Sequence, residues 1–399
     1  METNYENKKE SISEYNSENE PEMETNFENL NLSENLIKGV YIYGFKKPSK
    51  IQVKGIQAIN TGKDCIIQSQ SGTGKTATYL LGILNKIEEN DKCQAIIITP
   101  TRELATQVFK VATEICKFNK IKIEICTGGT SINMNRSNLK KTNLVIGTIG
   151  RINHMVQENR INLYNVKLLA LDEADDILSE GVSKELSMVF NKLPTGTQIC
   201  LISATLSNNV FDLSKEFMHQ PLKILLKKND IPVDLIKQFY IDVEIEELKF
   251  EVLLDLYNLI STSQAIIFCN TIRKVEWLTT NLEEKNFSIT SIHGKMTSTE
   301  RTEVVKDFRN GKTRILITTD LLSRGIDIPH VNLVINYDLP PNKETYIHRI
   351  GRCGRFGKKG VAIALVKMKD QYDIKCINRM KTFYNMNIDE LPEDIETYL

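Results

Sequence analysis

A chain of 399 residues with 51 basic against 51 acidic side chains and 41% hydrophobic residues has the composition of an ordinary globular protein, and it is long enough for two or three domains. No apolar run approaches the length of a membrane span, and the acidic, polar N-terminus resembles neither a signal nor a transit peptide. The eight cysteines form no C-x-x-C pair and sit mostly in apolar runs, as at Cys65, Cys126 and Cys269; this argues against a disulfide framework or a zinc site and for buried, reduced thiols in a cytosolic or nuclear protein.

The neutral total hides an asymmetry. Residues 1–24 hold eight Glu and two Lys, a net of −6, so the rest of the chain carries +6. A positive folded part behind an acidic tail suits a polyanionic partner, and charge alone suits a solvated surface equally well. The tail is too polar to build a core and is expected to be disordered.

Order begins near Phe27. Leu30, Leu32, Leu36, Ile37 and Val40 fall at helical spacing, with Ser33 as N-cap, Gly44 as terminator and Ser49 as the cap of a second helix. Between Gly44 and Ser49 lies a turn carrying an exposed aromatic, Phe45. The apolar run Cys65-Ile66-Ile67 reads as a buried strand. It leads into Ser69-Gln70-Ser71-Gly72-Thr73-Gly74-Lys75-Thr76, and a helical pattern follows from Ala77. Strand, glycine turn and helix together make a phosphate-binding loop, although a plain glycine-capped helix shares part of the pattern. Backbone N–H groups and the helix N-terminus face phosphate, Lys75 reaches the terminal phosphates, and the Thr76 hydroxyl can ligate Mg²⁺.

To about residue 225, β-branched runs alternate with turns and helical patterns: 95–98, 122–126, 143–146, 168–171 and 199–202. This βαβ text predicts a parallel sheet flanked by helices, with ligands at the carboxyl ends of the strands. Residues 226–237, with Lys227, Lys228, Asn229, Asp230 and Pro232, read as a linker. Alternation resumes at 265–268, 287–290, 314–317, 333–335 and 361–365, which predicts a second α/β domain. The expected organisation is a tail over 1–24, an ATP-binding domain over 25–225, the linker, and a second domain over 238–399.

Asp172-Glu173-Ala174-Asp175 closes the strand 168–171. Carboxylates there, downstream of a phosphate loop, suit Mg²⁺ and an attacking water: Asp172 for the metal, Glu173 as general base. An acidic helix N-terminus would favour the same charges, and the pairing with Lys75 and Thr76 decides for the catalytic reading.

The strings GFKKPSKIQ, SQSGTGKT, PTRELA, a GG pair, TIGR, DEAD, SAT, IIFCNT, TTDLLSRGID and HRIGRCGR follow in that order. The chain from Phe27 to Leu399 thereby resembles the DEAD-box RNA helicases of superfamily 2, and within them the translation-initiation branch. The resemblance implies an α/β fold of two RecA-like domains, each a mostly parallel sheet flanked by helices, joined by a short linker. It implies that Phe45 stacks on adenine, supported by Phe27, and that Gln52 reads its edge. Ser71, Gly72, Thr73, Gly74, Lys75 and Thr76 hold the phosphates of ATP and, with Asp172, Mg²⁺. Asp327 touches the ribose. Arg352 and Arg355 look like arginine fingers that stabilise phosphoryl charge from the second domain. Ser203 and Thr205 contact the DEAD carboxylates, and with Asp175 and His348 couple hydrolysis to domain closure.

RNA contacts are implied for Pro100, Thr101, Arg102, Gly128, Gly129, Thr148, Gly150 and Arg151 in the first domain. In the second they are implied for Asn270, Thr319, Asp320, Arg324 and Gly325. Phosphate contacts give affinity without base readout, and contacts to the 2′-OH separate RNA from DNA. Four positions depart from the family's usual residues: Ser69 for Ala, Ile149 for Pro, Ser298 for Gln, and Cys353 for Gly or Ser. None removes a charged catalytic group. The implied protein is a cytoplasmic (alternatively nuclear) RNA-dependent ATPase. It would be monomeric when free, would make no membrane contact, and would open RNA duplexes locally with a scaffold partner of the initiation-factor 4G type. The alternatives are a generic remodeller, an exon-junction-type clamp, or an RNA-binding module with negligible turnover.

Overall fold

The computed structural model describes residues 25–69, 73–128, 139–179, 181–206, 208–225, 236–260, 264–320, 331–353, 360–384 and 386–392. The chain separates into two compact units, with the boundary between Leu226 and Lys227. The acidic segment 1–24 lies outside the described residues, as does the linker from 226 to 235. Ile236 and Lys237, also read as linker, instead open a strand, because Ile236 is buried and pairs with Gly360.

The first unit holds β1 (Cys65–Gln68), β2 (Ala95–Ile98), β3 (Ile123–Cys126), β4 (Leu144–Gly147), β5 (Leu168–Asp172), β6 (Gln198–Ser203) and β7 (Leu222–Leu225), in the spatial order β3-β4-β2-β5-β6-β1-β7. Every described pairing is parallel. Parallel strands need crossovers, and the helices that supply them cover both faces. This accounts for the unbroken apolar runs. Ile97, Ile146 and Ile202 join one hydrophobic cluster, while Ile96, Val145 and Leu201 join the cluster on the opposite face. Each fully buried aliphatic side chain contributes about 1.5–3 kcal/mol.

The helices of this unit are α1 (Glu34–Tyr43), α2 (Lys50–Asn60), α3 (Lys75–Leu84), α4 (Arg102–Ile115), α5 (Ile149–Gln157), α6 (Ala174–Ile177), α7 (Lys184–Phe190) and α8 (Asn208–Phe217). The expected caps are in place. Ser33 Oγ accepts from Leu36 N–H, Gly44 ends α1 at φ 107°, and Ser49 with Gln52 closes a capping box on α2.

The second unit repeats the plan with β8 (Ile236–Asp242), β9 (Gln264–Phe268), β10 (Ile289–Ile292), β11 (Ile315–Thr318), β12 (Val331–Asn336), β13 (Gly360–Val366) and β14 (Asp389–Glu390), ordered β10-β11-β9-β12-β13-β8-β14. Its helices are α9 (Lys249–Ile260), α10 (Ile272–Glu284), α11 (Ser298–Arg309), α12 (Lys343–Ile350) and α13 (Gln371–Tyr384). The strand expected over 287–290 is shifted by two residues, since Ile289 and Ile292 are the buried members that pair with β11. All eight cysteines are buried and free; Cys65 and Cys200 face each other across β1 and β6, with sulfurs 3.2 Å apart.

One close approach positions the segment that carries Phe45. Gly39 on α1 passes the carbonyl of Ile115 at the end of α4, where an added Cβ would lie 1.9 Å from that oxygen. Gly39→Ala must push α1 off α4, and the expected cost is about 1–3 kcal/mol. The check is a denaturant titration of the first unit followed by circular dichroism; an unchanged midpoint would show that α1 moves freely.

Candidate active site

Because the strands run parallel, every strand of the first sheet ends on one edge, and the strand order sorts the motifs along it. The neighbours β3, β4 and β2 end in the GG, TIGR and PTRELA turns. The neighbours β5, β6 and β1 end in DEAD, SAT and the phosphate loop. One half of the edge thus carries the residues expected to contact RNA, and the other half those expected to handle ATP.

On the ATP half, Gly74 sits at φ 93° and caps α3, which begins at Lys75. The Gln52 side chain leans over this turn, so that a Cβ on Gly74 would come 2.6 Å from Gln52 Nε2. Gln52 Oε1 accepts the Ser49 N–H at 2.8 Å, which leaves the amide nitrogen aimed at the phosphate loop. Phe45 is half-buried between Tyr43, stacked at 5.2 Å, and the fully buried Phe27, tilted at 6.3 Å. The platform expected under adenine therefore rests on the core.

The DEAD turn has two unusual features. Asp172, Glu173 and Asp175 are all buried, at 3%, 7% and 5% exposure. Glu173 also adopts the left-handed conformation, at φ 51° and ψ 53°, between β5 and α6. That conformation costs a non-glycine residue about 1–2 kcal/mol, and strain of this kind clusters at functional sites. Asp172 Oδ1 accepts the Glu173 N–H at 3.0 Å, and Asp172 Oδ2 accepts the Tyr79 hydroxyl at 2.6 Å. Burial raises the pKa of Asp172, against the opposing effects of the Tyr79 hydroxyl, the Lys75 charge and the Glu173 N–H.

Thr205 Oγ1 donates to Asp175 Oδ2 at 2.7 Å, linking the SAT turn to the DEAD turn. Ser203 does not take part in that link: its hydroxyl donates to the Thr205 carbonyl and accepts the Thr205 N–H, because its place at the end of β6 turns it onto its own loop. The Ser203 carbonyl accepts the Ser69 N–H, joining SAT to the phosphate loop.

No group of three or more His, Cys, Asp or Glu is arranged to enclose a metal among the described residues. Thr76 and Asp172 offer hard oxygen donors only. Such a sparse set fits Mg²⁺, which keeps its waters and takes phosphate oxygens, better than zinc or calcium.

On the other half of the edge, three expected RNA contacts converge. Arg102, at the start of α4, packs on Gly128, where a Cβ would lie 2.7 Å from Arg102 Nη2. Arg151 Nε donates to the Thr127 carbonyl at 3.1 Å. Thr101 caps α4, and Thr148 caps α5 without a side-chain bond. Pro100 precedes the first cap, and exposed Gly150 follows the second.

In the second unit, Asn270 and Asp320 are brought together by Arg349, a residue to which the sequence reading gave no role. Arg349 is wholly buried, lies over the Phe268 ring at 5.2 Å, and grips both Asp320 oxygens at 2.6 and 3.1 Å. It also donates to Asn270 Oδ1, Asn336 Oδ1 and the Asp338 carbonyl. Asp338 in turn accepts the Asn270 N–H and pairs with Lys274 at 2.7 Å. Motif side chains expected at RNA are thus held by an internal arginine, and the only hint in sequence was its place within HRIGRCGR. Thr319 precedes Asp320 in the chain, and its carbonyl accepts from Thr318 Oγ1. Arg352 is buried, with Nε donating to the carbonyl of buried His348. Ser71, Gly72, Gly129, Arg324, Gly325, Asp327 and Arg355 lie outside the described residues.

Residues 49–213 match the DEAD/DEAH box helicase family, and residues 248–357 match the helicase conserved C-terminal domain. The chain is similar to the ATP-dependent RNA helicase eIF4A of Saccharomyces cerevisiae, at 47% identity over 94% of each chain. It is 45% identical to the eukaryotic initiation factor 4A of Caenorhabditis elegans over 92% of each. Among solved structures it resembles S. cerevisiae Dbp5 bound to RNA and ADP BeF3, with a TM-score of 0.85 and 34% identity over 93% of this chain and 98% of that one. It also resembles Mss116p bound to ssRNA and AMP-PNP, with a TM-score of 0.82 and 26% identity over 95% and 82%.

Arg349→Met strands polar partners of Arg349 in the second unit. The expected loss is about 2–4 kcal/mol, below that of a fully buried pair because Asp320 is partly exposed. Arg349→Lys keeps the charge but not the fork and should recover only part of it. Trp277, the single tryptophan, lies in this unit and reports its unfolding by fluorescence. A midpoint unmoved by either change would refute the clamp.

Proposed function

Since the chain belongs to the DEAD-box family of ATP-dependent RNA helicases, we propose that it uses Mg·ATP to bind single-stranded RNA and open short duplexes during translation initiation, in the cytoplasm, with a scaffold partner of the initiation-factor 4G type. The single observation that carries the catalytic reading is the strained Glu173 turn at the end of β5, with Asp172 and Asp175 buried beside it. High identity to eIF4A proteins over almost the whole chain supports the process.

In this reading Phe45 and Gln52 hold adenine, and Gly74, Lys75 and Thr76 hold phosphates, together with Ser71, Gly72 and Thr73. Asp327 takes the ribose. Bound Mg²⁺, held by Thr76 and Asp172, supplies charge neutralisation on the phosphates. Glu173 orients the attacking water and accepts its proton. Arg352 and Arg355 stabilise the charge that spreads over the transferring phosphoryl group. With carboxylates in one unit and arginines in the other, turnover requires both. Asp175, Thr205 and His348 link the chemistry to that dependence.

The RNA strand is held through its backbone by Pro100, Thr101, Arg102, Gly128, Gly129, Thr148, Gly150 and Arg151. Asn270, Thr319, Asp320, Arg324 and Gly325 serve it from the second unit, with Asn270 and Asp320 oriented by Arg349. None of these is an obvious base reader, so several unrelated RNAs should stimulate ATP turnover alike.

Two variants test the assignment. Glu173→Gln keeps the size of the side chain but cannot take a proton. RNA should dissociate slowly from it in excess Mg·ATP and quickly in Mg·ADP, because ATP and RNA tighten each other by one coupling free energy. Equally fast release in both, with nucleotide affinity intact, would show that ATP and RNA binding are not coupled. Gln52→Glu retains the capping box, since Glu serves at that position as well as Gln. It loses the amide donor, and preference for ATP over GTP should fall about tenfold at unchanged helix content. A parallel fall for both nucleotides would show that Gln52 does not read the base.

A further inference from the structure

Tyr79 lies one turn into α3, and its side chain is 0% exposed. Its ring fills the core cluster beneath the phosphate loop, a task that needs no hydroxyl. Yet the hydroxyl has a partner. It donates to Asp172 Oδ2 at 2.6 Å, across 93 residues of sequence, from a position one turn beyond Thr76 on the same helix face. Thr76 and Asp172 are the two oxygen donors assigned above to the cation.

We infer that Tyr79 is a positioning residue that aligns Asp172, the partner of Thr76 in that pair, for the cation of the nucleotide complex. The inference rests on the reading of those two residues as cation partners. The Tyr79 proton fixes one Asp172 oxygen, while the Glu173 N–H fixes the other. The two donors together set the plane of the Asp172 carboxylate, as outer partners of metal ligands do. Phenylalanine at this position would keep the packing and leave that plane free to turn.

The test uses the full chain and a fluorescent ATP analogue, titrated in excess Mg²⁺ and in EDTA. The quantity read is the factor by which Mg²⁺ tightens nucleotide binding. Tyr79→Phe should reduce that factor about tenfold while leaving affinity in EDTA unchanged. Asp172→Asn should reduce it as well, and the double variant should fall short of the product of the two, because both act on one oxygen pair. Thermal melting of each variant reports the fold separately. The inference is overturned if Tyr79→Phe matches wild type while Asp172→Asn does not. It is also overturned if affinity falls equally in EDTA and in Mg²⁺, which marks a packing defect, or if the two effects multiply. If Asp172→Asn also leaves the factor unchanged, the cation reading itself fails and the inference falls with it.

Discussion

A parallel strand buried on both faces has nowhere to put a polar side chain except at its ends. β5 shows the consequence: Leu168, Leu169, Ala170 and Leu171 are at most 1% exposed, and the first group able to do chemistry is Asp172, the last residue of the strand. The same rule sends Ser203 to the end of β6 and Thr318 to the end of β11. Since all strands of a sheet point one way, these ends form a single edge, and crossover order alone decides which turns become neighbours. The division of the first sheet's edge between the turns expected to contact RNA and those expected to handle ATP is a property of that order. The adjacency of β2 and β5 is where the halves meet.

At such an edge charge is expensive, and the two units deal with it differently. The first buries carboxylates and gives them hydroxyl and backbone donors: Tyr79 and the Glu173 N–H on Asp172, Thr205 on Asp175. The second buries a cation and surrounds it with an acidic group, two amides and a carbonyl. Replacing one partner of a buried ionic cluster costs far more than the cluster contributes over an apolar core. The value of the Arg349 cluster therefore lies in registering three turns, after β9, β11 and β12, rather than in stability.

The sequence made the architecture legible where one physical signal dominated. β-branched runs located the long central strands, and Ser33, Gly44 and Ser49 marked helix ends through local cap chemistry. The misses share a cause. β7, with Lys223 at the edge of its sheet, and β8, which opens Ile236-Lys237-Gln238, are only partly apolar, so neither stood out as an apolar run, and the first two residues of β8 read as linker. β14 is two exposed residues recruited by a neighbour. In the site, the motif strings placed the functional turns but not the bonds between side chains. Thr205 and Ser203 are equivalent on paper, and only the turn geometry decides that one reaches Asp175 and the other does not. Tyr79 falls in the helical pattern after Lys75, and its ring is core; its hydroxyl acquires meaning only where β5 brings Asp172 to it.

Two of the departures, at 149 and 353, can be weighed in the same terms. Ile149 is the first residue of α5, where a backbone N–H has no intrahelical partner. Proline there would forfeit nothing and would preset φ. Isoleucine gives up that presetting but packs its side chain against the cluster under β4, so the turn carrying Thr148 and Gly150 is held by burial instead of by ring closure. Cys353 is 1% exposed, and its thiol donates to the Ile350 carbonyl at 3.1 Å. A small polarisable group with one weak donor there ties the end of α12 to its own last turn. At 149 the chain exchanges a backbone restraint for side-chain burial, at 353 it adds a side-chain bond, and the neighbouring residues, Arg151 and Arg352, hold their bonds to the Thr127 and His348 carbonyls.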